Sequence, residues 1–494
     1  MKIVIVGGGT SGWLTTLLFK RYLKDFDIVN ISSKEIPTVG VGESTTYRFF
    51  SSLMKAGIKF KDIFLGCDGL PKMGINFDGW SKQPGSFIGD IDGSHTSHSD
   101  VDYFFYYCVE NNIPIEKAGM CGYQAYYGKT NCFINKDPNF HIDLDHTNFA
   151  ACHIDNYAAG EFFKKVSIDS GVVHYESLVK NISVSEGLIN SLELSSGEVV
   201  TADLYVDCTG FSKFIAKNLP DYEWQSYSKY LPLNSAIPFF RKEDEDSQWK
   251  PFTTAKTLSS GWMWEIPTRN RIGRGYVYDS NFISESEAKK EVEDLFGEEL
   301  IFSRPLITFE AGKQKQVYNK NCVSIGLSAS FLEPLEATNI HCTIVQIENF
   351  INECIKQDNR EKYNSFCNTL FDNMRDFVAY HYTGGKEDTP FWKYVNDLPK
   401  PNKVKEILEL TKKRVLRKND WEFHDGQAGQ SLWIEIASGL GHINSTNCSD
   451  KMTESGLNRE TIKKELESFH EFCEFTCKQN MSALEMNEYL KANK

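Results

Sequence analysis

The chain has 494 residues, 41% hydrophobic and 24% charged, with a formal net charge of −13. This length and composition suit a globular protein of two or three domains with a large core, and the negative balance argues against broad binding to nucleic acid or to anionic membranes, both of which would repel it. Residues 3–6 are too short an apolar run for a signal peptide and no later stretch approaches the roughly 18 apolar residues of a membrane span, so a cytoplasmic protein with small-molecule partners is expected.

The first element is a short apolar strand, Met1-Lys2-Ile3-Val4-Ile5-Val6, running into Gly7-Gly8-Gly9-Thr10-Ser11-Gly12 and then an apolar-periodic helix. Gly-x-Gly-x-x-Gly alone is weak, but this strand–turn–helix setting predicts a dinucleotide cradle. Gly7 permits the turn, Gly9 leaves room for a pyrophosphate, and Gly12 lets the helix pack on its strand with its N-terminus facing the anion. An acid that holds the ribose is expected about 20 residues on. After the second apolar run, 26–31, that slot holds Ser32-Ser33, so Ser32 is the candidate ribose contact and a modest grip on the adenosine is expected.

Two more short β-rich runs end in glycine, at 204–210 and 323–326, and predict further strands of the nucleotide lobe. Residues 75–150 and 220–300 read as loops and strands of a second lobe, and helices dominate from about 345. Val404, Ile407, Leu408, Thr411 and Val415 fall on one helical face, and Ile462, Leu466, Phe469, Phe472 and Cys473 on another; both read as packing faces. Thirteen cysteines without Cys-x-x-Cys pairs predict reduced structural thiols rather than a disulfide or zinc framework. His95, His98, Asp90, Asp92 and Asp100, and then His141, Asp143, Asp145 and His146, could be drawn as metal sites, but such mixtures are ordinary loop composition and no metal is expected. No linker cuts the chain, so the lobes are expected to interleave: 1–75 with 150–215 and 300–350 for the nucleotide, 76–149 with 216–299 for substrate, and a mainly helical 351–494 completing the pocket.

Four segments carry a family resemblance: Gly7-Gly8-Gly9-Thr10-Ser11-Gly12-Trp13, Val39-Gly40-Val41-Gly42-Glu43-Ser44-Thr45, Gly261-Trp262-Met263-Trp264-Glu265-Ile266-Pro267, and Phe331-Leu332-Glu333-Pro334-Leu335-Glu336-Ala337-Thr338. Together they resemble the flavin-dependent halogenases of the tryptophan-halogenase type, and Trp-x-Trp-x-Ile-Pro is the most specific of them. Cys152-His153-Ile154-Asp155, Asp207-Cys208-Thr209-Gly210-Phe211 and the stretch from Asp376-Phe377 to His381-Tyr382 match more weakly, and the region after 420 least. The resemblance implies an α/β fold, flavin-monooxygenase-like, with a Rossmann-type FAD-binding lobe, an interleaved substrate lobe and a helical C-terminal part. It implies FAD contacts from Gly7, Gly9, Thr10, Ser11, Gly12, Ser32, Val41, Gly42, Glu43, Asp207, Gly326 and Leu335.

By the same resemblance, reduced FAD (FADH2), oxygen and a halide give hypohalous acid, which travels inside the protein to a small aromatic substrate. Lys72, in Pro71-Lys72-Met73, matches the directing lysine. An ammonium there polarises the acid by a hydrogen bond, or an amine forms a haloamine; the bland alternative is a surface lysine beside a turn. Glu336 matches a carboxylate that orients the halogenating species and takes up the ring proton, and it also reads as a favourable acid at a helix N-terminus. The family binds halide on the amides of a Thr-Gly pair, which is Thr338-Asn339 here. Asparagine tolerates a left-handed backbone, so the amide geometry is expected to persist around a reshaped halide pocket that favours bromide or iodide over chloride. Trp262 and Trp264, two apart on a strand, share a face and are expected to stack into a wall between flavin and substrate, or else to be two core aromatics.

A separate flavin reductase is the implied source of reduced FAD, with a homo-oligomeric state left open. An FAD-dependent aromatic monooxygenase and a non-catalytic flavin-binding protein are the alternatives. Substrate is expected to be a free indole or phenol, gripped by the segment 421–443 with Gln427, Gln430 and Trp433.

Overall fold

Ile3, Val4, Ile5 and Val6 are all buried, so the opening strand, Lys2–Val6, is covered on both faces, as a central parallel strand must be. The computed structural model describes residues 1–494 apart from 37–42, 91–100, 134–150, 243–248, 303, 415, 417–419, 421–425, 455, 457 and 493–494. Lys2–Val6 lies between Asp27–Ser32 and Leu204–Asp207, parallel to both. The six-stranded order is Tyr318–Asn319, Cys322–Ser324, Leu204–Asp207, Lys2–Val6, Asp27–Ser32, Val173–Glu176, and only the outermost Tyr318–Asn319 runs antiparallel. The three runs that end in glycine in the sequence are therefore the three adjacent strands at the centre of this sheet.

The chain divides into two compact, interleaved units. The first comprises Met1–Asp68, Ile154–Leu231 and Phe309–Arg375; the second comprises Gly69–His153, Pro232–Thr308 and Asp376–Lys494. These limits differ from those read in the sequence. Residues 69–75 leave the nucleotide lobe because Gly74–Asp78 is a strand of the second unit's sheet, paired with Thr253–Leu258 and Ser86–Asp90. Residues 216–231 and 351–375 join the first unit, and the helical remainder from Asp376 onward belongs to the second rather than standing apart.

The second unit is built on a seven-stranded sheet in the order Ile307–Thr308, Ser235–Phe239, Ile272–Tyr278, Gly261–Pro267, Thr253–Leu258, Gly74–Asp78, Ser86–Asp90. One face buries Ile237, Phe239, Met263, Tyr276 and Tyr278 against Ala288 and Val292 of the helix Glu285–Phe296. That helix begins in a capping box between Ser284 and Glu287 and ends at a left-handed Gly297. The edge strand Ser86–Asp90 does not leave its outward amides open: Ile88 donates to the buried carboxylate of Glu116 at 2.8 Å and Asp90 to that of Glu435 at 2.8 Å. In the C-terminal helices Val404, Ile407 and Thr411 are buried, as are Ile462, Leu466 and Cys473. Phe472 is a correction. It is 57% exposed, because the buried stripe continues through Cys473, Thr476 and Cys477, one residue round the helix.

Two acids, Asp207 and the partly buried Glu43, brace the first unit. Asp207, fully buried, accepts from the Thr209 amide (2.9 Å), the Thr209 hydroxyl (2.6 Å) and the Ser328 hydroxyl (3.1 Å) on one oxygen, and from the amides of Ile215 (3.0 Å) and Ala216 (2.8 Å) on the other. Glu43 accepts from the Asn156 side-chain amide, and burial pushes its carboxyl up to about 7. Asp207→Ala strands five donors and is expected to cost at least about 3 kcal/mol, read from the denaturant midpoint at constant slope. Because the folded state holds the Glu43 proton more tightly than the unfolded chain, its contribution falls as pH rises from the ordinary carboxylate value of 4.5 towards about 7. Glu43→Gln is therefore expected to flatten the melting temperature across that window.

Candidate active site

The glycine turn is shaped by backbone contact. Gly7 has φ +151°, and a Cβ there would lie 2.3 Å from the Cys208 carbonyl oxygen; one on Gly12 would lie 2.3 Å from the Gly7 carbonyl oxygen. Gly9 caps the helix Thr10–Tyr22 in extended conformation with no side-chain cap and no acid in the first turn. Its leading amides therefore face outward as anion donors. Thr10 donates from Oγ1 to the Asn156 carbonyl (3.4 Å), and Ser11 Oγ lies 3.4 Å from Thr343 Oγ1. Gly326, φ +72°, admits no Cβ because Ser11 Oγ would be 2.6 Å away, and its amide donates to Gln346 Oε1 at 3.2 Å. Gly7, Gly9, Thr10, Ser11, Gly12 and Gly326 thus form a side-chain-poor cradle that fits a dinucleotide pyrophosphate.

The sequence reading missed Asn30, which is buried and donates to the Gly7 carbonyl (3.2 Å) and to Thr16 Oγ1 (3.0 Å), locking the turn from beneath. The only sequence hint is a polar residue in an apolar run. Ser32 ends its strand as expected, but its hydroxyl already lies 2.9 Å from His174 Nε2. Asp207 spends both oxygens on the protein, so its part in the cradle is to hold the loops around it. Leu335 is buried in the short turn Leu335–Ala337. Val41 and Gly42 lie outside the described residues, as do the paired histidines His95/His98 and His141/His146. Among the described residues no group of three or more His, Cys, Asp or Glu comes together as a metal site.

The Glu336–Asn339 segment departs from expectation. Asn339 is in the right-handed first turn of the helix Thr338–Phe350; the left-handed residues are Glu336 (φ 66°) and Ala337 (φ 56°). Neither is glycine or asparagine, so no residue type there signals it. Such a conformation costs about 1–3 kcal/mol per non-glycine residue and is retained where surroundings enforce it. The kink leaves the helix without a side-chain cap, and Thr338 is buried with its hydroxyl lacking a hydrogen-bond partner among the described residues. Thr338, Asn339, Cys342 and Gln346 line a small hollow with Gly326 and Phe371. Uncapped amides beside an unsatisfied hydroxyl make a site for a small anion.

Lys72, Trp262 and Trp264 belong to the second unit. Lys72 is 2% exposed, unlike a surface lysine at a turn. It ends the strand Leu70–Lys72, which pairs with Ala151–Ile154, and the next amide, Met73, donates to the Pro251 carbonyl at 2.6 Å. Trp262 and Trp264 share a face of Gly261–Pro267 as expected, but they meet edge to face at 65° with centroids 6.4 Å apart rather than stacking. Cross-strand neighbours Ala255 and Gly275 make room for Trp264; a Cβ on Gly275 would meet its ring at 2.1 Å. Trp80 extends the cluster, 6.0 Å from Trp262, with its indole N–H on the Ala255 carbonyl. Sequence reasoning missed it for want of any local motif. Trp433 packs against Phe377 and Tyr380 in the same unit. Residues 421–425, which begin the expected substrate segment, lie outside the described residues.

Known proteins share this sequence pattern and this fold. A family model, tryptophan halogenase, matches residues 2–453. Tryptophan 7-halogenase RebH of Lentzea aerocolonigenes is 31% identical over 441 residues, covering 83% of this chain and 81% of that protein. The structure of tryptophan 6-halogenase SttH from Streptomyces toxytricini superposes with a TM-score of 0.86 at 25% identity, covering 99% of each chain. Xcc4156, a flavin-dependent halogenase from Xanthomonas campestris, has the same fold, with a TM-score of 0.85 at 24% identity over 98% of this chain and 97% of that one. A cradle built for a dinucleotide, a buried lysine and the Trp-x-Trp-x-Ile-Pro strand thus occur in a chain that belongs to the tryptophan halogenase family.

Proposed function

We propose that this chain, as an FADH2-dependent halogenase with halide as co-substrate, places halogen on a small aromatic compound of indole or phenol type, with Lys72 and Glu336 directing the chemistry. The observation that carries the reading is the burial of Lys72 at 2% exposure in the unit that also holds Trp262 and Trp264. An amine is kept from water at such cost when its charge or nucleophilicity is used. That relatives such as RebH are tryptophan halogenases favours indole over phenol. The enzyme works in the cytoplasm beside a separate reductase that supplies reduced FAD.

When bound, reduced FAD supplies the two electrons that let oxygen oxidise halide to hypohalous acid. The residues of the chain bind, screen and aim. Gly7, Gly9 and Gly12 with Gly326 take the pyrophosphate, and Thr338 and Asn339 amides hold the halide, with the Thr338 hydroxyl as a further donor. Trp262 and Trp264 keep the organic substrate from the flavin. Lys72 donates to hypohalous acid and makes its halogen more electrophilic, and Glu336 takes the proton released as the ring regains aromaticity.

Lys72→Ala is expected to abolish halogenated product while oxidation of reduced flavin continues. Tryptophan, indole and phenol offered with chloride, bromide and iodide provide the assay; near-normal product from the variant would remove Lys72 from the reaction. A hydroxylating monooxygenase would instead give an oxygenated product independent of halide, and a flavin-binding protein none. In equal-halide competition, bromide or iodide is expected to win over chloride, since larger halides dehydrate and oxidise more readily and Asn339 lines the hollow. Asn339→Gly is expected to shift the product ratio towards chloride, and an unchanged ratio would show that Asn339 does not set it.

A further inference from the structure

The Cys152-His153-Ile154-Asp155 motif divides its duties. Asp155 caps the helix Asn156–Asp169, accepting from the Ala158 amide at 3.0 Å. His153 is left without such a structural task, although it is fully buried. In the antiparallel ribbon of Leu70–Lys72 and Ala151–Ile154, Lys72 faces Ala151 and Leu70 faces His153. Residues two apart on a strand, and directly opposed residues on its partner, point to the same side. Lys72 and His153 are therefore diagonal neighbours on one face, and Ala151, the residue between them, has too small a side chain to separate them.

The imidazole is held independently of the lysine. Nε2 lies 2.9 Å from the Thr253 hydroxyl, at the head of the strand Thr253–Leu258, and the ring lies beside the Pro267 carbonyl, while Nδ1 makes no hydrogen bond among the described residues. The Thr253 contact holds the ring whichever of its nitrogens carries the proton. Pro267 is the last residue of the Trp-x-Trp-x-Ile-Pro strand. Burial, and secondarily the Lys72 charge, hold the ring well below the ordinary histidine range, so it stays neutral beside an ammonium.

We propose that His153 is a positioning residue for Lys72: held by the Thr253 hydroxyl on the same face of the ribbon, its ring walls the lysine side chain and aims the amine. This rests on the reading of Lys72 as the directing lysine.

The test uses full-length protein labelled with 15N-lysine, in which the Lys72 Nζ resonance is identified by its loss in Lys72→Ala. Two quantities are read: that resonance, and bromotryptophan formed per reduced FAD oxidised. His153→Leu is expected to shift the resonance and to lower the product ratio by about tenfold or more. His153→Gln, which keeps one donor and one acceptor, is expected to restore both towards the unmodified protein. Thr253→Val, which removes one hydroxyl, supplies the same comparison should His153→Leu fail to fold, and is expected to shift the resonance. A Lys72 resonance unmoved in the folded His153→Leu or Thr253→Val protein would overturn the proposal, as would failure of His153→Gln to rescue. Product persisting in Lys72→Ala would sink the reading of Lys72 alone, because the resonance reports the position of the amine whether or not the amine is used.

Discussion

The first unit depends on one acid that water does not reach. Asp207 ends the strand beside the opening one, and its five protein donors come from the turn that follows it and from Ser328, beyond the next strand of the sheet. Such saturation offsets the cost of taking a carboxyl group out of water. The two loops so joined lie at the carboxyl ends of parallel strands, where open α/β sheets bind ligands. The glycine turn is fixed against the same ground, since Gly7 touches the Cys208 carbonyl one residue after Asp207. Cradle geometry is therefore set by backbone contact and one polar hub, with few side chains free to adjust it.

The second unit uses a different device. Where the first removes side chains to admit a ligand, the second alternates very large and very small ones. Trp264 lies over Gly275 and Ala255, Lys72 over Ala151, and Gly261 approaches the Val277 carbonyl so closely that no Cβ fits. Interiors packed at this density leave long side chains few rotamers. That gives an aromatic cluster and a buried amine defined positions without a dedicated loop to hold either.

Much of this was legible in the sequence where the controlling interaction is local. Three apolar runs ending in glycine named three strands of the parallel sheet, and Trp262 and Trp264 shared a face because period two requires it. Features set by distant partners were not. Asn30 reads as an interruption of an apolar strand until Gly7 is placed above it. Trp80 has no motif, and Phe472 sits one position off the buried helical stripe, a step too small for apolar spacing to resolve. The left-handed pair Glu336–Ala337 runs against the preferences of both residues, whereas Asn339, the neighbour with the stronger intrinsic tendency, is right-handed. The limits of the interleaved units followed strand pairing, which composition along the chain does not record.

The capped edge of the seven-stranded sheet has a consequence for the molecule among its copies. An uncovered edge strand offers a row of donors and acceptors to any other extended chain. At Ser86–Asp90 two successive outward donors, the amides of Ile88 and Asp90, are already taken by Glu116 and Glu435. An incoming strand would have to displace two buried acids and leave them unsatisfied beside its own carbonyl oxygens, which repel them. The sheet is thereby terminated chemically as well as sterically, and from this side it cannot be lengthened into a template for self-association when the protein becomes concentrated.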